Sequence, residues 1–329
     1  MAVPVWVWLA TVLGIALLIA VDVWHARSPH PVGFREAVTW SSIYLTGALV
    51  FGLGVLVFGG REPGAEFFTG FLVEKSLSVD NLFIFALILG RFAVPAEHQQ
   101  RVLLIGVIGA LVLRGAFIAV GAAAVSRFAV TFVVFGAFLL YTGIRLLRPS
   151  QDEPDVQNSR AVRLLRRVVP VTDSYVGARL LVRRGGRWAA TPLFLVAATI
   201  LSVDLVFALD SIPAIFGITS NAYLVFTANA FALLGLRALY FLLIGLLDRL
   251  VHLHYGLAVI LGFIGVKLIL HYVHTVAPAV PEVPTWLSLV VIVAVLAVVT
   301  LTSLRATRGA ALPRTVRAED AAGTARDPD

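Results

Sequence analysis

The chain has 329 residues, of which 59% are hydrophobic and 14% are charged, and its mean hydropathy is +0.93. Soluble domains carry roughly 25% charged residues, so this composition excludes an ordinary soluble domain and predicts a polytopic membrane protein. The formal net charge of +7 comes from arginines in the loops of one face and in the tail, which is typical of membrane topology rather than nucleic-acid binding. The sequence has no cysteine, which excludes disulfides, thiolate metal sites and cysteine catalysis.

Apolar stretches long enough to cross a bilayer, which takes about 20 residues, recur along the chain. They predict an all-α fold with nine transmembrane helices. The first stretch has no basic residue before it, so it is interpreted as a spanning helix rather than a cleaved signal. The predicted spans are 3–22, 40–59, 67–90, 102–124, 129–147, 191–212, 222–246, 255–275 and 284–304.

Two similar six-residue segments indicate an internal repeat. Residues 78–83 read SVDNLF and residues 202–207 read SVDLVF, and two further pairs of segments match at offsets of 123 and 122. Three spans therefore match the next three, and an odd number of spans per unit forces the second unit to run opposite to the first. Inverted repeats are the architecture of many secondary transporters, whose sites lie near the bilayer midplane.

The repeat and the charges divide the chain into six predicted parts. Arginine and lysine are concentrated in alternate loops, which predicts an N-terminus outside and a C-terminus in the cytoplasm of a bacterial cell. The parts are 1–66 with two N-terminal spans, 67–147 as the first repeat, 148–190 as a basic cytoplasmic loop, 191–275 as the second repeat, 276–305 with the last span, and 306–329 as a disordered tail.

Ionisable residues lie inside the predicted spans, where each costs about 2.5–3.5 kcal/mol on insertion scales. Asp80 and Asp204 lie about 13 residues into their spans, which at 1.5 Å per residue is near the middle of the bilayer. Arg114 and Arg237 also fall near mid-span. The two aspartates come from opposite halves, so we expect them to converge on one site.

Oxygen ligands surround these aspartates in the sequence, and no histidine or cysteine lies at mid-span. Such a set suits magnesium, calcium or manganese rather than zinc or copper. Asp210 is six residues after Asp204, which places the two on different faces of an ideal helix. Pro213 predicts a broken helix after Asp210. The nearby candidate oxygen ligands are Ser78, Asn81, Ser202 and Ser211.

A purely structural reading of these charges stays open. The two mid-span aspartates can simply pair with the two mid-span arginines, and the embedded acids and bases nearly balance. Glu74 and Lys75 are predicted to lie closer to the outer face. Asp22 is predicted to be interfacial, beside Trp24 and His25 at the end of the first span.

Longer strings carry a family resemblance. Residues 66–70 read EFFTG, residues 74–83 read EKSLSVDNLF, residues 204–216 read DLVFALDSIPAIF and residues 229–241 read NAFALLGLRALYF. Over residues 36–275 the chain resembles the TerC family of integral membrane proteins, including its Alx-like members. The resemblance implies a polytopic inner-membrane protein that is linked to tellurium resistance by name and to manganese export by activity.

The resemblance also implies roles for particular residues. The implied metal ligands are Asp80, Asn81, Asp204 and Asp210. Glu74 and Arg237 would support the site, and the wider predicted supporting set is Lys75, Ser78, Arg114, Ser202, Ser211 and Asn229. Two departures concern the second half: Leu201 stands where many members have glutamate, and Asn221 where members often have aspartate.

The sequence therefore predicts a secondary active exporter of Mn²⁺ or a similar divalent cation, working by alternating access around the midplane aspartates. Enzyme motifs such as a Gly-rich phosphate loop are absent, so no enzymatic activity is predicted. No tightly bound cofactor is expected, and the predicted partners are the lipid bilayer, the transported cation and a protein partner at loop 148–190. The alternatives are a membrane scaffold in a tellurite-response complex and, more weakly, an intramembrane hydrolase with paired aspartates.

Overall fold

The structure is a computed structural model that describes residues 3–26, 32–147, 171–172, 175–177, 179–184, 187–243, 251–277, 280–281 and 283–307. It has an all-α architecture, apart from one short hairpin. Most of the predicted loop 148–190 and nearly all of the predicted tail lie outside the described residues. The helices are α1 (Val5–His25), α2 (Phe34–Gly54), α3 (Arg61–Arg91), α4 (Ala96–Arg127), α5 (Val130–Leu146), α6 (Pro192–Phe216), α7 (Ala222–Leu234), α8 (Leu236–Leu243), α9 (Leu253–Val276) and α10 (Thr285–Thr307).

Each predicted span has a helical counterpart in the part of the chain that the structure describes. The seventh comes as two helices, α7 and α8, which meet at Gly235. By length and apolar composition, seven described helical segments can cross a membrane, with α7 and α8 counted together. The two other predicted spans correspond to α5, which is only 17 residues long, and α3, which carries several charges along its length.

Local sequence sets several helix ends. α2 continues as a π-helical turn, Val55–Gly59, and Gly60 follows with a φ of 98°, a backbone region that glycine tolerates best. Pro192 occupies the first turn of α6, where the missing N–H costs no hydrogen bond. The Tyr223 backbone N–H donates to Asn221 Oδ1 at 3.1 Å and caps α7. The break in helical geometry at Gly60 explains why α3 begins at Arg61, earlier than the predicted residue 67.

The predicted break after Asp210 is wrong. α6 continues through Pro213 to Phe216. The Gly217 backbone N–H donates to the Pro213 carbonyl at 3.0 Å, so regular bonding resumes beyond the proline. The missing proline N–H affects one hydrogen bond, and packing of the buried last turn of α6 outweighs that loss.

The two predicted repeats correspond to helices α3 to α5 and α6 to α9. Exchanging one repeat for the other leaves the pattern of helix contacts nearly unchanged. α3 packs against α7 and α4 against α6, while α5 packs against α9. A β-carbon at Gly265 would lie 2.8 Å from the Gly136 carbonyl oxygen, and one at Gly143 would lie 3.0 Å from that of Ala258. These two contacts exchange under the offset of 122 residues. An inverted repeat requires this arrangement, and the repeat itself stays a prediction.

A β-hairpin lies in the predicted cytoplasmic loop, which no pattern in the sequence indicated. Strands β1 (Leu181–Arg184) and β2 (Arg187–Ala190) pair antiparallel, immediately before α6. The Tyr175 hydroxyl donates to the Phe92 carbonyl at 2.7 Å. This bond fixes the segment against the end of α3.

Candidate functional site

A buried cluster of charged side chains centres on Arg114, in the middle of α4. Its Nε and Nη2 atoms donate to the two carboxylate oxygens of Asp204, at 3.1 and 3.0 Å. Its Nη1 atom donates to Glu74 Oε1 and, at 3.1 Å, to Ser211 Oγ. Arg114 and Glu74 are completely buried, and Asp204 is 2% exposed.

Helix geometry explains how distant positions meet in this cluster. Asp204 and Ser211 are seven residues apart on α6, a spacing that places them on one face, and both contact Arg114. Glu74 lies near the middle of α3, because that helix begins at Arg61. The expectation that Glu74 lies closer to the outer membrane face than Asp80 stays a prediction.

Glu74 leaves one oxygen without a partner. Its Oε1 atom accepts from Arg114 and, at a long 3.4 Å, from the Ser78 hydroxyl. Its Oε2 atom is buried and has no hydrogen-bond donor among the described residues. A buried carboxylate oxygen without a donor costs free energy, so this atom is a candidate ligand for a cation.

Asn229 on α7 is a second buried polar group of this kind. It is 1% exposed, and neither its amide oxygen nor its amide nitrogen has a partner among the residues described. Its neighbour Ala228 lies 3.4 Å from the position of a β-carbon on Gly70, one turn from Glu74 on α3. Asn229 therefore lies on the helix that packs along α3, close to Gly70 and about one turn from the cluster.

A second buried ion pair lies apart from the Arg114 cluster. Arg237 on α8 donates through Nη2 to Asp22 on α1, and the two residues are 3% and 4% exposed. The interfacial position predicted for Asp22 is therefore wrong. The sequence did contain a signal for this pair. Arg237 lies inside a span and needs an acidic partner, and Asp22 is a carboxylate at the end of another span.

The other predicted site residues lie at different places. Asp210 accepts a hydrogen bond from Thr142 on α5 at 3.1 Å, away from the Arg114 cluster. The Ser202 hydroxyl donates to the Ala198 carbonyl of its own helix, and Lys75 Nζ donates to the Ala232 carbonyl at 3.1 Å. Asn81 is buried on α3.

The Asp80 side chain lies outside the described part of the structure, so its expected convergence with Asp204 stays a prediction. Within the described ranges, no three His, Asp or Glu side chains are grouped closely enough to hold a metal ion. The roles of all these residues as ligands remain predictions. What the structure brings together is Glu74, Arg114, Asp204 and Ser211.

The apolar spans and the buried ion pairs define a polytopic integral membrane protein with charged side chains inside its helix bundle. The chain belongs to the TerC family: the model described as "Integral membrane protein TerC family" matches residues 60–311. That match covers both halves of the predicted repeat and the whole Arg114 cluster.

Several bacterial proteins are similar to this chain over most of its length. An uncharacterized membrane protein of Mycobacterium tuberculosis is 48% identical over 273 residues, which are 82% of this chain and 69% of the relative. An uncharacterized membrane protein of Myxococcus xanthus is 41% identical over 263 residues, 79% of this chain and 82% of the relative. A protein of Escherichia coli named "Putative membrane-bound redox modulator Alx" is 41% identical over 273 residues, 80% of this chain and 85% of the relative. No solved structure matches the chain.

Proposed function

We propose that this protein exports a divalent metal cation, with Mn²⁺ as the first candidate, across the cytoplasmic membrane, and that the Arg114 cluster is part of the cation path. The observation that carries the proposal is the Glu74 Oε2 atom, which has no partner among the described residues and lies in one buried cluster with Asp204 and Arg114, inside a membrane helix bundle. Ionisable residues at such depth face the bundle interior and mark ion pathways by default.

The charges of the cluster suit cation exchange. Glu74 and Asp204 supply two carboxylates for the single guanidinium of Arg114, which stays charged in proteins. In the described conformation Arg114 neutralises the carboxylates from within the bundle. A divalent cation that enters displaces Arg114 from one or both of them, and Arg114 returns when the cation leaves.

The chemistry of the donors favours a hard cation. The cluster and its surroundings offer carboxylate, hydroxyl and amide oxygens from Glu74, Asp204, Ser211 and Asn229. Oxygen donors suit magnesium, calcium and manganese. Asp80 and Asn81, as the predicted ligands of the first half, would complete the coordination when the halves rearrange.

The direct test is transport by purified protein in liposomes that enclose a Mn²⁺-sensitive dye. We expect Glu74→Gln and Asp204→Asn to lower the initial rate at least about tenfold, because each removes a charge that the cation must contact. Glu97→Gln is the matched control, since Glu97 is an exposed carboxylate in the first turn of α4, and it should leave the rate unchanged. Undiminished transport by the double variant of Glu74 and Asp204 would remove the proposal.

The second candidate is a membrane scaffold or modulator without transport activity. It is favoured by the exposed face of the hairpin, where Trp188 is 64% exposed and pairs across the strands with Arg183. The name of the E. coli relative includes a redox role, and a thiol could not supply it here because the sequence has no cysteine. If the protein is such a scaffold, cells with the Glu74→Gln variant should keep the phenotype that the parent protein confers. The double variant with Trp188→Ala and Arg183→Ala should abolish that phenotype.

A further inference from the structure

A cavity of about 780 Å³ opens between the ends of α3, α6, α9 and α10. Its aromatic walls come from α5, α6 and the start of α10, and its polar lining residues are Arg61, Glu62, Glu66, Thr219, Ser220, Lys267 and His271. On the predicted topology these helix ends face the outside of the cell. A pocket of this size has room for a small ligand with its water.

Three successive contacts join this cavity to the buried cluster along the seam between α3 and α6. At the cavity, the Thr219 hydroxyl donates to Glu66 Oε2 at 2.8 Å. At the cluster, Glu74 and Ser211 share the Nη1 atom of Arg114. The third contact, between Gly70 and Ile215, lies midway between these two pairs, four residues from each along both segments. The three contacts therefore follow one another at intervals of about 6 Å.

The middle contact is apolar and closed. A β-carbon on Gly70 would lie 3.3 Å from Ile215 Cγ2 and 3.4 Å from the Ala228 β-carbon. Ile215 is completely buried. Ile215 and Ala228 therefore both pack against Gly70, between the Glu66 end of the seam and the Glu74 end.

We propose that Ile215, seated against Gly70, is the gate between the buried cluster and this cavity, and that the cavity is a vestibule for a hydrated divalent cation. The inference rests on the proposed function, which supplies the cation. Hydrophobic constrictions can close a path simply by excluding water. The negative end of the α6 dipole and the carboxylates of Glu62 and Glu66 attract a cation to the vestibule, whereas Arg61, Lys267 and His271 also line it and oppose that attraction.

The position of Ile215 in α6 suits a moving part. It lies one residue before the helix ends at Phe216 and two residues after Pro213, which cannot donate a backbone hydrogen bond. Terminal turns open at a lower free energy than helix centres. A small outward movement of this last turn takes Ile215 off Gly70 without breaking the bonds of Asp204 deeper in the same helix.

The absence of native cysteine makes the gate measurable by thiol labelling. Single cysteines are introduced as Thr219→Cys in the vestibule and Ser211→Cys in the cluster, and intact cells are treated with the membrane-impermeant cation MTSET. We expect Thr219→Cys to react fast and Ser211→Cys at least about tenfold more slowly, as a closed gate requires. Adding Ile215→Ala should accelerate the second reaction about tenfold or more, because it removes the packing that holds the gate shut.

Ile200→Ala is the matched control, since Ile200 is equally buried on α6 but packs against Gly106 at the far end of that helix. It should leave both rates unchanged. Ser78→Cys, four residues from Glu74, is a second reporter in case Ser211→Cys does not fold. Two results would overturn the proposed gate. One is equal MTSET labelling rates at residues 219 and 211 while Ile215 is intact. The other is that Ile215→Ala accelerates labelling of neither Ser211→Cys nor Ser78→Cys.

A final labelling experiment tests the identity of the transported cation separately from the gate. Mn²⁺ is added during labelling of the variant that carries both Ser211→Cys and Ile215→Ala. Slower labelling supports a cation path through the gate. Acceleration by Ile215→Ala without any protection by Mn²⁺ overturns the divalent cation as occupant, and with it the proposed function, while the gate stands.

Discussion

Arg114 is the residue on which the buried cluster depends, because its guanidinium contacts both of the carboxylates that are out of contact with water. Its guanidinium binds Asp204 through two atoms and Glu74 through a third. Removing one member of a buried ion pair leaves an uncompensated charge, whereas replacing all members by neutral groups is often tolerated. The cluster should therefore be far more sensitive to the loss of one charge than to the loss of all.

We expect Arg114→Leu to lower the free energy of unfolding by about 3–5 kcal/mol, which is the usual cost of stranding buried partners. Adding Glu74→Gln and Asp204→Asn should restore most of that stability, although transport is lost. Unfolding of purified variants in detergent, followed by tryptophan fluorescence, measures the difference. A triple variant that is less stable than Arg114→Leu would show that the charges stabilise the bundle beyond mutual neutralisation.

The charge of Arg114 is not sufficient by itself. Lysine has a compact ammonium that cannot contact three oxygens in the planar geometry of a guanidinium. Arg114→Lys is therefore expected to fold but to transport at least about tenfold more slowly than the parent, as measured with the Mn²⁺-sensitive dye. Full transport by this variant would reduce the role of Arg114 to that of a diffuse positive charge.

At the scale of elements, the helices are held by close backbone approaches and by buried ion pairs, including the one that joins α1 to α8. α5 and α9 approach so closely that Gly136 and Gly265 each face the carbonyl of the other. Gly262, on the same α9 helix, has open space where a β-carbon would be. These two positions of α9 therefore make a matched pair for testing how the helices pack.

Gly265→Ala is expected to destabilise the protein by about 1–3 kcal/mol, the usual cost of overpacking, because its β-carbon would lie 2.8 Å from a backbone oxygen. Gly262→Ala should be neutral or slightly stabilising, since alanine favours a helix. Thermal unfolding of both variants measures the contrast. Equal stability of the two would mean that α5 and α9 are not in contact at this point.

The sequence predicted the helices better than it predicted their partners. Apolar length was enough to find a helix at each predicted span, because a bilayer imposes that length directly. The same reasoning placed Asp22 at an interface, although its side chain is buried against Arg237, since hydropathy measures the depth of a helix rather than which side chains meet. The pairing of Arg237 with Asp22 depends on the tertiary packing of α8 beside α2 and near α1, which no local pattern encodes.

At the scale of the whole molecule, the direction of the cation path depends on how the chain lies across the membrane. The vestibule and the hairpin lie at opposite ends of the spans: α6 begins next to β2 and ends at the cavity. The arginine-rich hairpin belongs on the cytoplasmic side by the charge rule. If that holds, the gate at Ile215 faces outward and the cation leaves through it.

This orientation can be tested with two single cysteines at exposed positions that lie outside both the cluster and the vestibule. Phe128→Cys lies between α4 and α5, at the predicted outer face, and Val176→Cys lies beside the hairpin; the native side chains are 61% and 40% exposed. In intact cells an impermeant thiol reagent should label residue 128 and spare residue 176, and in inverted vesicles the pattern should reverse. Because arginines are held on the cytoplasmic side by the insertion process, labelling of residue 176 from outside would invert the whole assignment, and the vestibule would then be the entrance for the cation rather than its exit.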